Sequence, residues 1–200
     1  MPVSTNDPDL AKKLMLARSH GMTRDSGLFV NTEDAFDGDG TPNPWYYELI
    51  EPEFNWRAND IQCALGLSQL GKLGRFVARR RALAAAYDTL LAPLAPLVRP
   101  AARTRPCLPA WHLYAARIDF ERAGISRGDV MRRLTAAGIG SQVHYYPVHR
   151  QPYYAKRYGV LSLPGADRYY ARALSLPLFA SMTNADVERV AGALGDILGL

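Results

Sequence analysis

An amide and a guanidinium group precede a helical pattern in the first third of the chain. Asn55 and Arg57 stand in the run Phe-Asn-Trp-Arg-Ala-Asn, and apolar residues follow at helical spacing from Asn59 onward. Both side chains donate hydrogen bonds, and a helix start attracts negative charge, so the group suits an anion such as phosphate. A capped helix with a surface arginine would explain the same residues, and composition alone leaves both interpretations open.

A second unusual stretch, residues 138–154, mixes hydrogen-bonding side chains with aromatic rings. Its polar members include Gln142, His144 and His149, and tyrosines stand beside them at Tyr145 and Tyr146. Aromatic rings can stack on sugar faces while amide and imidazole groups bind hydroxyls, so this mixture favours a carbohydrate or nucleotide-sugar surface. Tyrosine-rich packing between parts of the protein is an equally good explanation on composition.

Several kinds of chemistry leave no signature in the sequence. There is no GxSxG, no HExxH and no glycine-rich phosphate loop, which are the marks of common hydrolase, metalloprotease and nucleotide-binding sites. Cys63 and Cys107 are far apart and lack histidines at ligand spacing, so we predict no metal site and no disulfide. Two reduced thiols are the usual state in a cytosolic protein, and we expect a cytoplasmic location.

The net charge of +5 comes mostly from arginine, because only four of the 24 basic residues are lysines. The run Arg79-Arg80-Arg81 lies within a helical pattern, and we expect it to form a solvated helix face. We therefore predict no nucleic-acid partner, although arginine forks suit phosphate. No window is apolar enough to predict a membrane helix or an export signal.

The order of predicted elements places these residues in an α/β framework. Asn6 to Asp9 predicts a helix start, and residues 22–54 read as a long functional loop whose aromatic cluster at 44–47 should be buried. Two helices, or one bent helix, should follow from Asn59 to Pro93. The rest of the chain is predicted to form a small α+β lobe. Its elements are, in order, a strand at 112–120, a helix capped by Ser126, an extended segment at 139–148, a helix at about 165–173, a short edge strand at 175–178 and a helix capped by Thr183.

The chain resembles the DegT/DnrJ/EryC1/StrS family of pyridoxal-phosphate sugar aminotransferases. Its similarity is greatest to the branch that acts on UDP-4-keto-6-deoxy-N-acetylhexosamines in pseudaminic-acid and surface-polysaccharide biosynthesis. Four blocks carry the resemblance: Arg18-Ser-His-Gly-Met-Thr-Arg-Asp25, Pro44-Trp-Tyr-Tyr-Glu48, Asn55-Trp-Arg-Ala-Asn-Asp-Ile-Gln-Cys-Ala-Leu-Gly66 and Gln142-Val-His-Tyr-Tyr-Pro-Val-His149. The chain departs from the family at residues 54–59, where Tyr-Asn-Tyr-Arg-Met-Thr is usual, but it keeps Asn55 and Arg57.

The resemblance implies the C-terminal part of a fold-type I aminotransferase that uses pyridoxal 5'-phosphate and forms a homodimer. Residues 1–75 would be a remnant of the large cofactor-binding domain, 76–92 a connecting helix and 93–200 a small α+β domain. Asn55 and Arg57 would bind the cofactor phosphate of the neighbouring subunit. The residues implied to contact the UDP-sugar substrate are Gln142, Val143, His144, Tyr145 and, with less support from the motif, His149.

The resemblance also implies that the residue performing the chemistry is absent. In this family a lysine forms the Schiff base with the cofactor, and it lies upstream of the first block seen here. None of Lys12, Lys13, Lys72 and Lys156 stands in a matching context. We therefore expect no catalytic residue in this chain and a fragment of a glutamate-dependent aminotransferase that is inactive alone. The alternatives are a non-catalytic partner of a separate lysine-bearing chain and an arginine-rich nucleic-acid binder.

Overall fold

The chain folds into two compact units, which meet in the sequence between Leu70 and Gly71. The computed structural model describes residues 3–104 and 107–200. The first unit has little regular structure. Among the described residues, the main cluster of buried side chains lies in the second unit, around a three-stranded sheet. The helices and strands are numbered below in chain order.

The first unit begins with helix α1, Pro8–Ala17, as the sequence predicts. The carboxylate of Asp7 accepts hydrogen bonds from the backbone N–H groups of Asp9 and Leu10 at 2.9 and 3.1 Å, and proline stands in the first turn, where its missing donor costs nothing. The chain then reverses at His20 and Gly21, both with positive φ. A side chain at Gly21 would place its Cβ only 1.6 Å from the carbonyl oxygen of Glu51, so only glycine fits this turn.

Residues 22–54 contain more regular structure than the sequence predicts. Strand β1, Met22–Thr23, pairs antiparallel with β2, Glu48–Leu49, and the short helix α2, Thr32–Ala35, lies between them. The predicted burial of the aromatic cluster is wrong for two of its rings, because Trp45 and Tyr47 are 65% and 51% exposed. These elements are too short to produce a periodic signal, so residue patterns alone missed them.

Helix α3, Asp60–Leu70, begins where the sequence predicts and has an exposed apolar surface. Asn59 and Gln62 cap its start reciprocally, each side-chain oxygen accepting from the other residue's backbone N–H. No residue of the helix is buried. Its exposed apolar side chains are Ile61, Leu65, Leu67 and Leu70, each more than 60% exposed.

The second unit is built on an antiparallel sheet in the order β3, Val98–Pro100, β4, Tyr114–Ile118, and β5, Ala173–Leu176. Alternate residues of β4 are fully buried, which matches the predicted strand at 112–120. The helices whose residues share this core are α4, Leu73–Leu91, α5, Arg127–Ala136, and α8, Asn184–Leu198. The caps predicted at Ser126 and Thr183 are confirmed by their hydrogen bonds.

Helix α4 corrects the prediction for the triple arginine, because none of the three side chains forms a merely solvated face. Arg79 donates twice to the carbonyl of Met182, and Nη1 of Arg80 donates to three carbonyls, while Arg81 donates to those of Leu108 and Pro109. A helical pattern in the sequence predicts only the face of the helix on which a residue lies, not the groups that its side chain contacts. The carbonyls that α4 meets come from segments up to about 100 residues away, which no local pattern contains.

Two further helices, α6, Pro152–Tyr158, and α7, Pro164–Arg172, lie between the sugar-binding candidates and β5. The sequence predicts α7 to within one residue at each end but does not predict α6, whose seven residues include no buried one. The predicted edge strand begins two residues earlier than expected, at Ala173. The division into segments 1–75, 76–92 and 93–200 stays a prediction, although the structure groups α4 with the second unit.

Three further observations concern membrane helices, metal sites and thiols. Within ranges 3–104 and 107–200, no helix is both long and apolar enough to cross a membrane. No group of three or more histidine, cysteine, aspartate or glutamate side chains in these ranges could hold a metal ion. Cys63 and Cys107 are both exposed thiols.

Candidate functional site

The first candidate group, Asn55 and Arg57, lies on an exposed segment just before α3. Oδ1 of Asn55 accepts from the backbone N–H of Arg57 at 3.1 Å and from its Nε at 3.3 Å. This interaction holds the two side chains together and fixes the amide oxygen toward the arginine. It leaves the Asn55 amide N–H groups and the two terminal nitrogens of Arg57 without a partner in the part of the chain that the structure describes.

The backbone around Asn55 is held by the turn that follows α1. Asn55 forms an antiparallel bridge with Ser19, the N–H of Trp56 donates to the carbonyl of Arg18 at 3.0 Å, and the N–H of His20 donates to Phe54 at 3.1 Å. The first and third sequence blocks are therefore adjacent in space. The bridge positions Asn55 although the segment itself is fully exposed.

The donors of this group fit a phosphate. A phosphate oxygen requires N–H donors, and the free nitrogens of Asn55 and Arg57 supply a neutral and a charged donor side by side. The start of α3 adds partial positive charge from its backbone, which Asp60 in the first turn offsets in part. The residues therefore fit the phosphate end of a cofactor.

Glu48 organises the loop that contains the second sequence block. Its carboxylate accepts from the backbone N–H groups of Val30 and Asn31 at 2.8 Å each and from the hydroxyl of Tyr46 at 3.0 Å. The N–H of Val30 contributes most to holding the pKa of Glu48 below its ordinary value. The same loop raises the pKa of Tyr46, through desolvation and then through its bond to Glu48. Glu48 thus has a structural role that the motif alone does not reveal.

The second candidate group, Gln142 to Tyr145, is anchored to strand β5. Gln142 and Ser175 exchange both backbone hydrogen bonds, at 3.1 and 2.8 Å. Oε1 of Gln142 accepts from the N–H of Val143 at 2.8 Å, and Nδ1 of His144 lies 2.9 Å from Oγ of Ser175. The ring of Tyr145 meets that of His144 edge-on, with 4.7 Å between the ring centroids, and Tyr145 is 75% exposed.

These contacts fix the position of the His144 ring and leave polar groups of Gln142 and Tyr145 available to bind a ligand. The amide nitrogen of Gln142 and the hydroxyl of Tyr145 have no hydrogen-bond partner within the described ranges. Because His144 is tied to Ser175 through Nδ1, its Nε2 is the atom free to meet a substrate. Ser175 was not singled out from the sequence, because its contact with His144 joins residues that are 31 apart in the chain.

His149 is held differently from the rest of its block. Its side chain is only 7% exposed, and Nε2 lies 3.2 Å from Oδ1 of Asp167 at an angle that is not a hydrogen bond. The same carboxylate oxygen lies 2.7 Å from Nη2 of Arg150. The structure therefore places His149 against α7, and its burial leaves less surface for a substrate than Tyr145 offers.

The seven candidate residues fall into two groups that belong to different units. Asn55 and Arg57 are adjacent within the first unit, and Gln142 to His149 share one segment of the second. Their binding roles stay predictions.

Comparison with known proteins identifies the family. The DegT/DnrJ/EryC1/StrS aminotransferase family matches residues 2–195. Helicobacter pylori PseC, an aminotransferase involved in the biosynthesis of pseudoaminic acid, is 27% identical with a TM-score of 0.81, over 98% of this chain and 47% of its own. The aminotransferase TlmJ from Streptoalloteichus hindustanus is 29% identical with a TM-score of 0.74, over 97% and 46%.

Another solved relative supports the fold. The Streptococcus pneumoniae sugar aminotransferase Spr1654, solved in a PLP form, shares the fold at 24% identity and a TM-score of 0.77, over 98% of this chain and 45% of its own. The chain thus spans about half the length of the structures that it matches. The predicted fold class, α/β and part of a fold-type I aminotransferase, is confirmed. The chain belongs to the DegT/DnrJ/EryC1/StrS aminotransferase family, whose members use pyridoxal phosphate.

Proposed function

We propose that this chain is the C-terminal part of an aminotransferase that converts the 4-keto group of a UDP-4-keto-6-deoxy-N-acetylhexosamine to an amine. Glutamate is the proposed amino donor, and the product enters nucleotide-sugar and surface-polysaccharide biosynthesis. The similarity to PseC supports this substrate class, and so do the Pro-Trp-Tyr-Tyr-Glu and Gln-Val-His-Tyr blocks on which the resemblance to that branch rests.

The observation that carries the proposal is the pairing of Asn55 with Arg57 beside the start of α3. Their free nitrogens would hold the phosphate of pyridoxal 5'-phosphate, in the neighbouring subunit of a homodimer. When bound, this cofactor supplies an electron sink for the transfer of the amino group. The bond from Arg57 to Oδ1 orients the Asn55 amide so that its N–H groups point away from the arginine.

The second group would hold the sugar nucleotide. The exposed ring of Tyr145 provides a flat apolar surface for a sugar, and the amide of Gln142 can donate to a hydroxyl or carbonyl oxygen. Ser175 keeps His144 in place, so that Nε2 can exchange a hydrogen bond with the substrate. Val143 donates its backbone N–H to Oε1 of Gln142, and His149 would act through the position of its loop.

The lysine that carries the cofactor would come from sequence outside the 200 residues. The exposed apolar side of α3, with Phe54 at 73% and Trp56 at 67% exposed, supports a large contact with that sequence or with a second subunit. The alternative proposal is that this chain is a non-catalytic partner, which supplies the phosphate- and sugar-binding residues to a separate chain carrying the lysine.

The decisive experiment compares this chain alone with the chain joined or mixed with a lysine-bearing partner. The lysine-bearing partner should supply the part of the family fold that this chain does not cover, since the chain spans 47% of the length of PseC. We expect no turnover of the keto-sugar with glutamate and pyridoxal phosphate by the chain alone, and turnover by the combination. Turnover by the chain alone would contradict the fragment proposal, and co-purification with a separately encoded lysine-bearing chain would favour the alternative.

A variant of the phosphate group tests the role of Asn55 in the combined protein. Asn55→Ala should weaken pyridoxal-phosphate binding about tenfold, because one hydrogen bond to a charged group is lost. Asn6→Ala, an exposed asparagine of the same unit, is the matched control. Fluorescence titration with the cofactor measures the change, and equal affinities for the two variants would reject the assignment.

A further inference from the structure

The second unit contains a cavity of about 280 Å³ with an unusually basic lining. Four arginines and one aspartate supply all of its charged side chains, namely Arg99, Arg117, Arg122, Arg172 and Asp119. The local net charge is therefore strongly positive. None of these residues belongs to the predicted cofactor or sugar groups, and no sequence block contains them.

Secondary structure brings the arginines together. Arg99 on β3 and Arg117 on β4 are partners in the antiparallel register, so their side chains leave the same face of the sheet directly opposite each other. Arg122 follows the end of β4, and Arg172 ends α7, which leads into β5. Like charges directly opposite each other destabilise a sheet. An anion bound between these arginines would relieve that repulsion.

The protein neutralises only part of this charge. Oδ2 of Asp119 accepts from Arg172 at 2.9 Å, and Nε of Arg117 donates to the carbonyl of Pro100 at 3.1 Å. The guanidinium groups of Arg99 and Arg122 have no hydrogen-bond or ion-pair partner among residues 3–104 and 107–200. The terminal nitrogens of Arg117 are likewise unengaged there. Several donor forks thus remain available around one small volume.

We propose that this cavity, the arginine cavity, binds a diphosphate group. Guanidinium forks bind phosphate oxygens in pairs, and a diphosphate concentrates several negative charges in a volume that a cavity of this size accommodates. A single carboxylate would leave most of the forks unused. The proposal does not depend on the proposed aminotransferase activity, because it rests on residues that play no part in it.

Two sources could supply the diphosphate, namely free pyrophosphate or the diphosphate end of a nucleotide. A second cavity of about 570 Å³ shares Arg117, Asp119 and Arg172 with the arginine cavity. It is also lined by Glu121, Arg168 and Tyr169, and the last of these is 39% exposed. An arginine and an aromatic ring suit a nucleotide base, so this neighbour offers room for the rest of a nucleotide.

Isothermal titration calorimetry of the full 200-residue chain with pyrophosphate and with UDP tests the proposal. We expect saturable binding of pyrophosphate, and Arg99→Gln should weaken that binding about tenfold, as expected for one charge-assisted contact. Arg99 has no described partner, so its loss should leave the fold intact, which far-UV circular dichroism checks. Arg117→Lys keeps the charge but removes the fork, and it should also weaken binding. Arg132→Gln removes the same charge from an exposed site on α5 and should leave binding unchanged.

Each outcome of the titration bears on the proposal. UDP binding that is tighter than pyrophosphate binding and that Arg99→Gln weakens supports the nucleotide source. UDP binding that is no tighter, or that Arg99→Gln leaves unchanged, supports the free anion. Absence of saturable heat, an equal loss in Arg132→Gln, or citrate binding as tight as pyrophosphate would overturn the proposal. Loss of binding in Arg57→Gln but not in Arg99→Gln would also overturn it, since the anion would then occupy the proposed cofactor-phosphate group instead.

Discussion

Arg80 provides the sharpest test of how the second unit is held together. Its Nη1 donates to the carbonyls of Trp111, His112 and Leu178 at 2.9, 3.1 and 3.0 Å. One guanidinium nitrogen on α4 therefore joins the segment before β4 to the segment after β5. Replacing Arg80 by methionine keeps a long apolar stem but removes every donor.

The size of the effect follows from the number and burial of the bonds. A hydrogen bond to a charged group contributes about 1.5 to 3 kcal/mol, and two of the three contacts are partly buried. Because one nitrogen serves all three acceptors, we count roughly one to two full bonds and expect Arg80→Met to lower the free energy of unfolding by about 2 to 4 kcal/mol. Arg81→Met is the matched control, since its two acceptors are exposed, and it should cost less than about 1 kcal/mol.

Urea denaturation followed by far-UV circular dichroism measures both variants. With an m-value of about 2 kcal/mol/M, a loss of 3 kcal/mol lowers the midpoint by about 1.5 M, against less than about 0.5 M for the control. Equal midpoints for Arg80→Met and Arg81→Met would refute the reasoning, because water would then satisfy the carbonyls as well as arginine does.

Three further predictions test other parts of the fold. Gly21→Ala should destabilise the first unit by more than about 2 kcal/mol, because a Cβ at this positive φ would overlap a carbonyl oxygen. The control Gly40→Ala also has a positive φ but open space around it, and it should cost about 1 kcal/mol. Limited proteolysis compares the two variants, and equal cleavage rates would contradict the clash. The backbone N–H of Thr183, and then its hydroxyl, hold the pKa of Asp186 below its ordinary value of 3.8, so the stability that this carboxylate contributes is present above that value and is lost as pH falls through the lowered pKa. Asp186→Asn should therefore flatten acid denaturation measured by circular dichroism below about pH 4, and an unchanged acid limb would reject this cause. Leu134→Ala, at a fully buried core position, should cost about 2 to 5 kcal/mol in urea denaturation, and a loss below 1 kcal/mol would mean that the core repacks.

Local chemistry allowed much of the second unit to be predicted from sequence. Capping side chains at Ser126 and Thr183 and the alternation in β4 mark their elements directly, because each signal lies within a few residues of the feature that it specifies. The first helix and the start of α3 were predictable for the same reason. By contrast, α6 and the short strands β1 and β2 are too brief, or too exposed, to produce a periodic pattern.

The candidate site residues, like the elements of the fold, were predictable from the sequence only in part. Side-chain chemistry and the family blocks pointed to Asn55, Arg57 and Gln142, since those residue types bind phosphates and hydroxyls wherever they stand. Only the fold revealed that Ser175 anchors His144 and that Asp167 lies against the largely buried His149. These partners are 18 to 31 residues apart in the chain, so no spacing rule connects them.

What the sequence determined by itself is the family and the types of group offered to a ligand, because both depend on residue identity and order. What only the tertiary structure decided is where charge accumulates and what neutralises it. The sequence presented twenty arginines as an undivided excess of charge. The fold turns Arg79, Arg80 and Arg81 toward backbone carbonyls and gathers others, such as Arg99 and Arg117, around a cavity. That division depends on strand register and on contacts between distant segments, which local patterns do not encode.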